Sequence, residues 1–364
     1  ADLSRQWWDW LDSPVLYISS DRPPTFSDQD IEKLRSFAQA GGLIFTQAER
    51  DSASFNSFAA ELASRLFPEM SFDMLSEDHP VYSTVYPMAA KPPLRAVSNG
   101  VRLLMLHSPT DLARWWQPFP PKSQRPSSEM AINIAVYAAG LRDLRNRLAS
   151  PFVPEPDWQP AGVVPVARLQ YKGNWDPEPA AWTRMGRVLQ NKTAIALKIL
   201  PTPVADLKYE NAPIAHLTGT ADINLSDAET DALRVFVTRG GILFIDSCGG
   251  SKAFTDSVQK KLLPKLFLDA TPDTLGPDHP LLAGGGKEMK NLQEPRLRPL
   301  VTDKSLAPIL TIHGGSGMIL FSRIDLTSGL VGTNTAGISG YQPAWAQDFV
   351  RNLVLWTLTR IPAS

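Results

Sequence analysis

The side chains best suited to chemistry sit in five consecutive residues, Asp246-Ser247-Cys248-Gly249-Gly250, and in one histidine downstream, His279. A Ser or Cys becomes a nucleophile only when a base lies within hydrogen-bond reach. Cys248 or Ser247 as nucleophile with His279 as base would make a hydrolase. The same residues have a plainer reading. Small polar side chains at a strand end form turns, and an Asp there caps the helix that follows.

Asp278-His279-Pro280 recurs as Asp78-His79-Pro80. A His beside a carboxylate suits proton transfer or metal binding; equally, Asp and Pro make a rigid turn. Upstream lies Tyr171-Lys172-Gly173-Asn174-Trp175-Asp176-Pro177. A Trp face flanked by Asn and Asp holds a sugar or similar polar ligand, or Trp175 covers core while Asn174 and Asp176 cap a helix near Pro177. Together Tyr171, Gly173, Asn174, Trp175, Asp246, Ser247 and His279 form the expected ligand-binding set. A metal held by Asp246, Asp278 and His279 has no supporting His-x-x-x-His or clustered acidic spacing. Gly284-Gly285-Gly286-Lys287 and Gly314-Gly315-Ser316-Gly317 lack Walker spacing and read as loops. No metal and no cofactor is expected.

The elements that must position these residues follow from patterning. Gly240-Gly241 stops a helix, and Ile242 to Ile245 is an apolar run suited to a strand buried on both faces of a parallel sheet. Ligands bind beyond the strand ends of such sheets. Around it, strands are expected at Val166–Tyr171, Ala194–Ile199, Ile214–Thr218 and Met318–Ser322. Helices are expected at Glu178–Gln190, Asp227–Arg239, Ala253–Leu266 and Trp345–Thr359. Ser226 caps the second of these helices, with Glu229 completing a capping box.

Much of this appears twice. Pro14-Val15-Leu16-Tyr17-Ile18 aligns with Pro213-Ile214-Ala215-His216-Leu217 at an offset of 199 residues, as do Ser27-Asp28 with Ser226-Asp227 and Gly41-Gly42-Leu43-Ile44-Phe45 with Gly240-Gly241-Ile242-Leu243-Phe244. Ser108 to Leu112 resembles Ser322 to Leu326, and a first-copy closing helix is expected at Met130–Leu148. The second copy has about fifty residues before Pro213 that the first lacks. The first copy is therefore read as missing its opening β-α-β, with Ala1 inside a longer precursor, or alternatively as a degenerate domain that leans on the second. The expected division is 1–149, a proline-rich linker at 150–162, and 163–364. Where Cys248 stands, the first copy has Glu49, so no nucleophile recurs there.

The 364 residues carry a net charge of −1, which suggests neither nucleic acid nor an anionic membrane surface as partner. No apolar run reaches the ~20 residues that span a bilayer. One cysteine excludes an internal disulfide.

As a set, Tyr171-Lys172-Gly173-Asn174-Trp175, Leu217-Thr218-Gly219, Ser226-Asp227, Gly240-Gly241 and Asp278-His279-Pro280 resemble the bacterial domain-of-unknown-function family 4159. The resemblance covers 163–360 well and 14–148 more loosely. It implies a class I glutamine amidotransferase-like domain in tandem, each copy an α/β flavodoxin-like three-layer domain with a mostly parallel sheet. Amidotransferase chemistry itself needs a Cys at the strand-to-helix elbow and a His followed two residues later by a carboxylate. Here Asp246 holds the elbow, His279 is followed by Pro280-Leu281 and His313 by Gly314-Gly315. The expectation is a non-catalytic ligand-binding or scaffolding protein taking a small polar ligand or protein partner, with the hydrolase as alternative. Its expected location is periplasmic or otherwise exported, with the cytoplasm as alternative.

Overall fold

A computed structural model describes residues 2–116, 123, 125–141, 151–268 and 271–360. The chain is α/β and divides into two compact units. One comprises Ala1–Phe152 with Thr333–Gly337, the other Val153–Gly332 with Ile338–Ser364.

In the first unit the order is β1 (Val15–Ser20), α1 (Asp28–Gln39), β2 (Leu43–Ala48), α2 (Ala53–Leu66), β3 (Asp73–Met74), β4 (Arg95–Ser98), β5 (Leu103–Ser108) and α3 (Arg125–Ala139). Its five-stranded sheet runs β1-β2-β5-β4-β3, parallel through the first three and antiparallel beyond. Apolar residues cover both faces. Leu34, Phe37, Leu62 and Leu66 pack with Ile44 on one, and Phe45, Leu106, Ile134 and Tyr137 pack on the other. The expected helix at Met130–Leu148 is α3, which begins earlier; residues 142–148 lie outside the described part.

The second unit contains β6 (Gly162–Gln170), α4 (Ala180–Thr193), β7 (Ile195–Pro203), β8 (Ile214–Gly219), α5 (Asp227–Thr238), β9 (Ile242–Ser247), α6 (Lys252–Ser257), α7 (Leu263–Leu266), β10 (Asp273–Thr274), α8 (Pro280–Ala283), β11 (Leu310–Gly314), β12 (Gly317–Ser322), α9 (Thr327–Val331) and α10 (Pro343–Arg360). Its seven-stranded sheet runs β10-β11-β12-β9-β8-β6-β7. From β7 to β12 it is parallel, in the flavodoxin-like 2-1-3-4-5 order with β12 as fifth strand. The hairpin at the Gly-rich turn adds β11 and β10 antiparallel, so the sheet is mixed. Pro165 lies within β6, and Val153 to Trp158 runs along α4, where Arg187, Gln190 and Asn191 donate to its carbonyls. The single helix expected over Ala253–Leu266 is broken into α6, one wide turn at Val258–Leu262, and α7, which opens on Leu263-Pro264.

Chain duplication shows in detail. Ser27 and Ser226 close capping boxes with Asp30 and Glu229. Gly41 and Gly240 take φ of 108° and 113°, which a side chain would strain. A Cβ on Gly42 or Gly241 would fall 2.3 or 2.4 Å from the ring of Phe37 or Phe236. One glycine turns the chain and the next lets the helix's phenylalanine lie across it. Of the described residues, none in the first unit corresponds to β6, α4 and β7.

Candidate functional site

Parallel pairing brings the C-terminal ends of β6, β8, β9 and β12 to one sheet edge, and a continuous polar chain runs from β6 through β8 and β9 to the segment that follows β12. Arg168 on β6 neighbours His216 on β8. Its Nη1 contacts His216 Nδ1, and its Nη2 donates to Asp176 Oδ1 at 2.7 Å. Trp182 Nε1 donates to the same His216 Nδ1 at 2.9 Å. Two donors on Nδ1 place the ring proton on Nε2, which donates to Asp246 Oδ1 at 2.7 Å. Asp246 also accepts from Thr327 Oγ1 at 2.8 Å and from the Leu326 and Thr327 N–H groups at 2.9 Å each.

His216 and Asp246 are fully buried. Burial, then Arg168, pushes the imidazole down to about 4, against the pull of Asp246, so it is neutral at pH 7. Burial would raise the Asp246 carboxyl, but the His216 hydrogen bond and the two backbone N–H groups hold it below the ordinary carboxylate value. A carboxylate with four donors has no lone pair to spare for a substrate or metal.

The neighbouring residues are also engaged. Ser247 Oγ lies 2.6 Å from Thr255 Oγ1, and both side chains are buried. Cys248 is completely buried, with its sulfur 3.9 Å from Ser328 Oγ. Burial pushes its thiol well above the ordinary value, and the carboxylates of Asp325, Asp246 and Glu178 push the same way. Asp325 Oδ1 accepts from Gly249 N at 2.9 Å, Ser328 N at 3.1 Å and Ser328 Oγ at 2.9 Å. Its Oδ2 is buried without a hydrogen-bond partner. Burial raises this carboxyl to about 6; Arg298 opposes the rise and Asp246 adds to it.

His279 is elsewhere. Its Nδ1 accepts from Leu281 N at 3.2 Å, and its ring meets Trp356 at 4.9 Å. His313 and Arg360, the charges that act on it, mark the β11–β12 turn, where Arg360 reaches Ser316 O. That turn sits beside Ile242, at the start of β9, whereas Cys248 follows its end. Five strand steps, about 16 Å, separate the two edges. His79 repeats the arrangement, accepting from Val81 N at 3.2 Å with its ring 5.3 Å from Tyr137. Asp-His-Pro is thus a helix-capping turn in both copies, and His279 does not join Asp246, Ser247 or Cys248. Among the described residues no group of three His, Cys, Asp or Glu side chains could hold a metal.

Tyr171, Gly173, Asn174 and Trp175 do lie at the Asp246 edge. Tyr171 donates to Thr218 O at 3.0 Å, Asn174 Nδ2 donates to Thr220 Oγ1 at 2.8 Å, and Trp175 packs on the core while remaining half-exposed. Lys172, Gly173 and Asn174 are exposed. Asp176 ties this loop to Arg168.

The family model of the domain of unknown function DUF4159 matches residues 8–139 and 165–356. The chain belongs to DUF4159. Both DUF4159 copies build the same frame beyond the central strand. In the first, Gln47 replaces Asp246; its Oε1 accepts from Ala113 N at 3.1 Å and its Nε2 donates to Asp111 Oδ1 at 3.1 Å. Asp111 accepts from Arg50 N and Arg114 N at 3.0 Å each, as Asp325 does from Gly249 N and Ser328 N. One amide and one carboxylate do in the first copy what two carboxylates do in the second.

No curated protein matches the chain. Among solved structures it is similar to the exo-beta-1,4-mannosidase Op5Man5 from Opitutaceae bacterium strain TAV5, at 14% identity over 94% of this chain and 60% of that one, with a TM-score of 0.28. The chain spans less than two thirds of that protein, and a score so low carries no argument.

Proposed function

We propose that this protein is a non-catalytic ligand-binding or scaffolding module built on a degenerate class I glutamine amidotransferase-like fold. The observation that carries the reading is the saturation of Asp246. The residue at the elbow is spent on His216, Thr327 and the Leu326 and Thr327 N–H groups, and Cys248 beside it is sealed. Nucleophilic chemistry needs a base in reach and a thiolate or activated hydroxyl. Neither requirement is supported by a buried thiol with a raised pKa, and His216, which lies across Asp246, is neutral and donates to that carboxylate.

The surface left for a small polar ligand or a protein partner is the loop edge formed by Lys172, Gly173, Asn174 and Trp175 with Thr220. Thermal-shift screening of sugars, amino acids and nucleotides against the full chain tests this. A stabilising ligand should lose at least tenfold in affinity in Trp175→Ala and Asn174→Ala and be indifferent to Cys248→Ala. Hydrolytic turnover that vanishes in Cys248→Ala or Ser247→Ala would overturn the non-catalytic reading.

A further inference from the structure

The two copies differ in the length of one connection, and the extra length closes the elbow of the second. The chain runs from Ser83 to Leu94 in the first copy and from Gly284 to Ile309, more than twice as far, in the second. The ends correspond, since Leu75 N donates to Leu94 O and Leu275 N to Ile309 O at 2.8 Å each. A long connection with little secondary structure inside a compact unit is commonly a functional lid. From Gly284 to Leu306 this one buries only Leu292, Arg298 and Val301. Two of the three are apolar anchors, and the other is a charge.

Backbone pairing carries Arg298 to the Asp246 edge. Its N–H donates to Gly340 O at 2.8 Å and its Nε to Tyr341 O at 3.1 Å, and Gln342 N donates to Arg296 O at 2.8 Å. The strap so gripped lies on the elbow, with Asp325 N donating to Ser339 O at 2.9 Å and Ser339 N to Gly249 O at 3.1 Å. Arg298 is 5% exposed. Burial disfavours its charge; the groups that favour it are Asp325, then Glu178, then Cys248. Glu178, from the segment after β6, is buried as well. Two buried carboxyl groups thus act on one buried guanidinium, and Asp325 Oδ2 still has no hydrogen-bond partner. The first copy has neither the extra length nor an arginine in its connection, and its Asp111 is part-exposed.

We propose that Glu178 and Asp325 form a binding site for a guanidinium or alkylammonium ligand, which Arg298 occupies as a built-in inhibitor until the 284–306 connection lifts. The donor set selects the class. Carboxylates bind N–H cations through charge-assisted hydrogen bonds, best of all the planar guanidinium. Asp246 is saturated, burial keeps the proton on Cys248, and no group of three His, Cys, Asp or Glu among the described residues could hold a metal. A ligand must displace Arg298, so binding is coupled to opening. The site lies beyond the Lys172–Trp175 rim, and its failure would leave the reading of that rim as it stands.

The test uses the full chain, the variant Arg298→Ala and, as probe, methylguanidinium chloride. Tetramethylammonium chloride, a cation without N–H donors, is the control. Labelling of Cys248 by a disulfide reagent and amide hydrogen exchange are the readouts. Arg298→Ala should label at least tenfold faster than wild type, with faster exchange at residues 296–301 and unchanged exchange in β9 and β12. Millimolar methylguanidinium should slow that labelling at least tenfold and saturably. Tetramethylammonium should not, and Glu178→Gln added to Arg298→Ala should abolish the effect. Wild type supplies a measurement that needs no variant: methylguanidinium should speed exchange at residues 296–301 at least tenfold while β9 stays protected. Three results would each overturn the proposal. They are exchange at 296–301 of wild type only with global unfolding, a probe no better than tetramethylammonium, and protection that survives Glu178→Gln.

Discussion

Replacing Asp325 with Asn should stabilise the second unit at alkaline pH relative to acid pH. Asp325 is fully buried, and its carboxyl is raised from 3.8 to about 6, by burial first, with Arg298 opposing and Asp246 adding. At about 1.4 kcal/mol per tenfold change, that displacement is worth about 3 kcal/mol. The folded protein holds this proton more tightly than the unfolded chain does. Its contribution is therefore complete below about pH 4 and is lost as pH rises through about 6. Asn keeps the Oδ1 that accepts from Gly249 and Ser328 but cannot ionise. Any fixed cost of an Nδ2 where Oδ2 has no partner is the same at both pH values and cancels. The difference in unfolding free energy, Asp325→Asn minus wild type, should rise by about 2.4 kcal/mol of that total between pH 4 and pH 8 in urea titrations. A difference that stays constant, or falls toward pH 8, refutes the argument. The first copy supplies a rationale in nature: with Gln47 in place of Asp246, its frame carries a single carboxylate.

Other consequences are independent of that one. His216→Ala should cost about 2–4 kcal/mol, because it removes one of the four hydrogen bonds to the buried Asp246 carboxylate, takes the acceptor from Arg168 and Trp182, and leaves a cavity; chemical denaturation measures it, and a loss under 1 kcal/mol would deny the cross-tie its role. Arg50, at φ 52°, occupies the position of Gly249, at φ 69°. Arg50→Gly should therefore relieve about 1 kcal/mol of backbone strain and Gly249→Ala should cost about as much, which paired melting curves would show. His79→Ala and His279→Ala should each cost about 1 kcal/mol through the lost cap and ring contact, leaving binding at the Asn174–Trp175 loop unchanged; a change in ligand affinity would show that His279 reaches the site after all.

Much of the frame was readable from local signals. The capping boxes, the glycine pairs and the repeat located the helices, the central strands and the shared edge of Tyr171 to Trp175 with Asp246. What was not readable was the polar cross-tie. Arg168, His216 and the pair Asp325 and Thr327 come from three separate stretches, and only strand order brings them together. A signal was present: Arg168 and His216 each interrupt an apolar run, and a charged or polar side chain inside a strand buried on both faces must find a partner there. His279 misled for the opposite reason. Its neighbours Asp278 and Pro280 suggest chemistry as readily as a turn, and the edge of the sheet on which it falls depends on the whole topology. Strand lengths followed the same rule. β6 and β7 extend beyond their apolar centres, across Pro165 and through Pro201 to Pro203, because paired backbone, not side-chain pattern, carries them on.

The central claim is that Cys248 is sealed in a turn that does no chemistry, and the rate at which its thiol reacts tests this most directly. Labelling with a disulfide reagent should be undetectable in the native protein from pH 6 to 9, and should rise with denaturant in step with unfolding of the second unit. Reaction of the native protein within minutes, independent of denaturant and with an apparent pKa below about 8.5, would contradict the account.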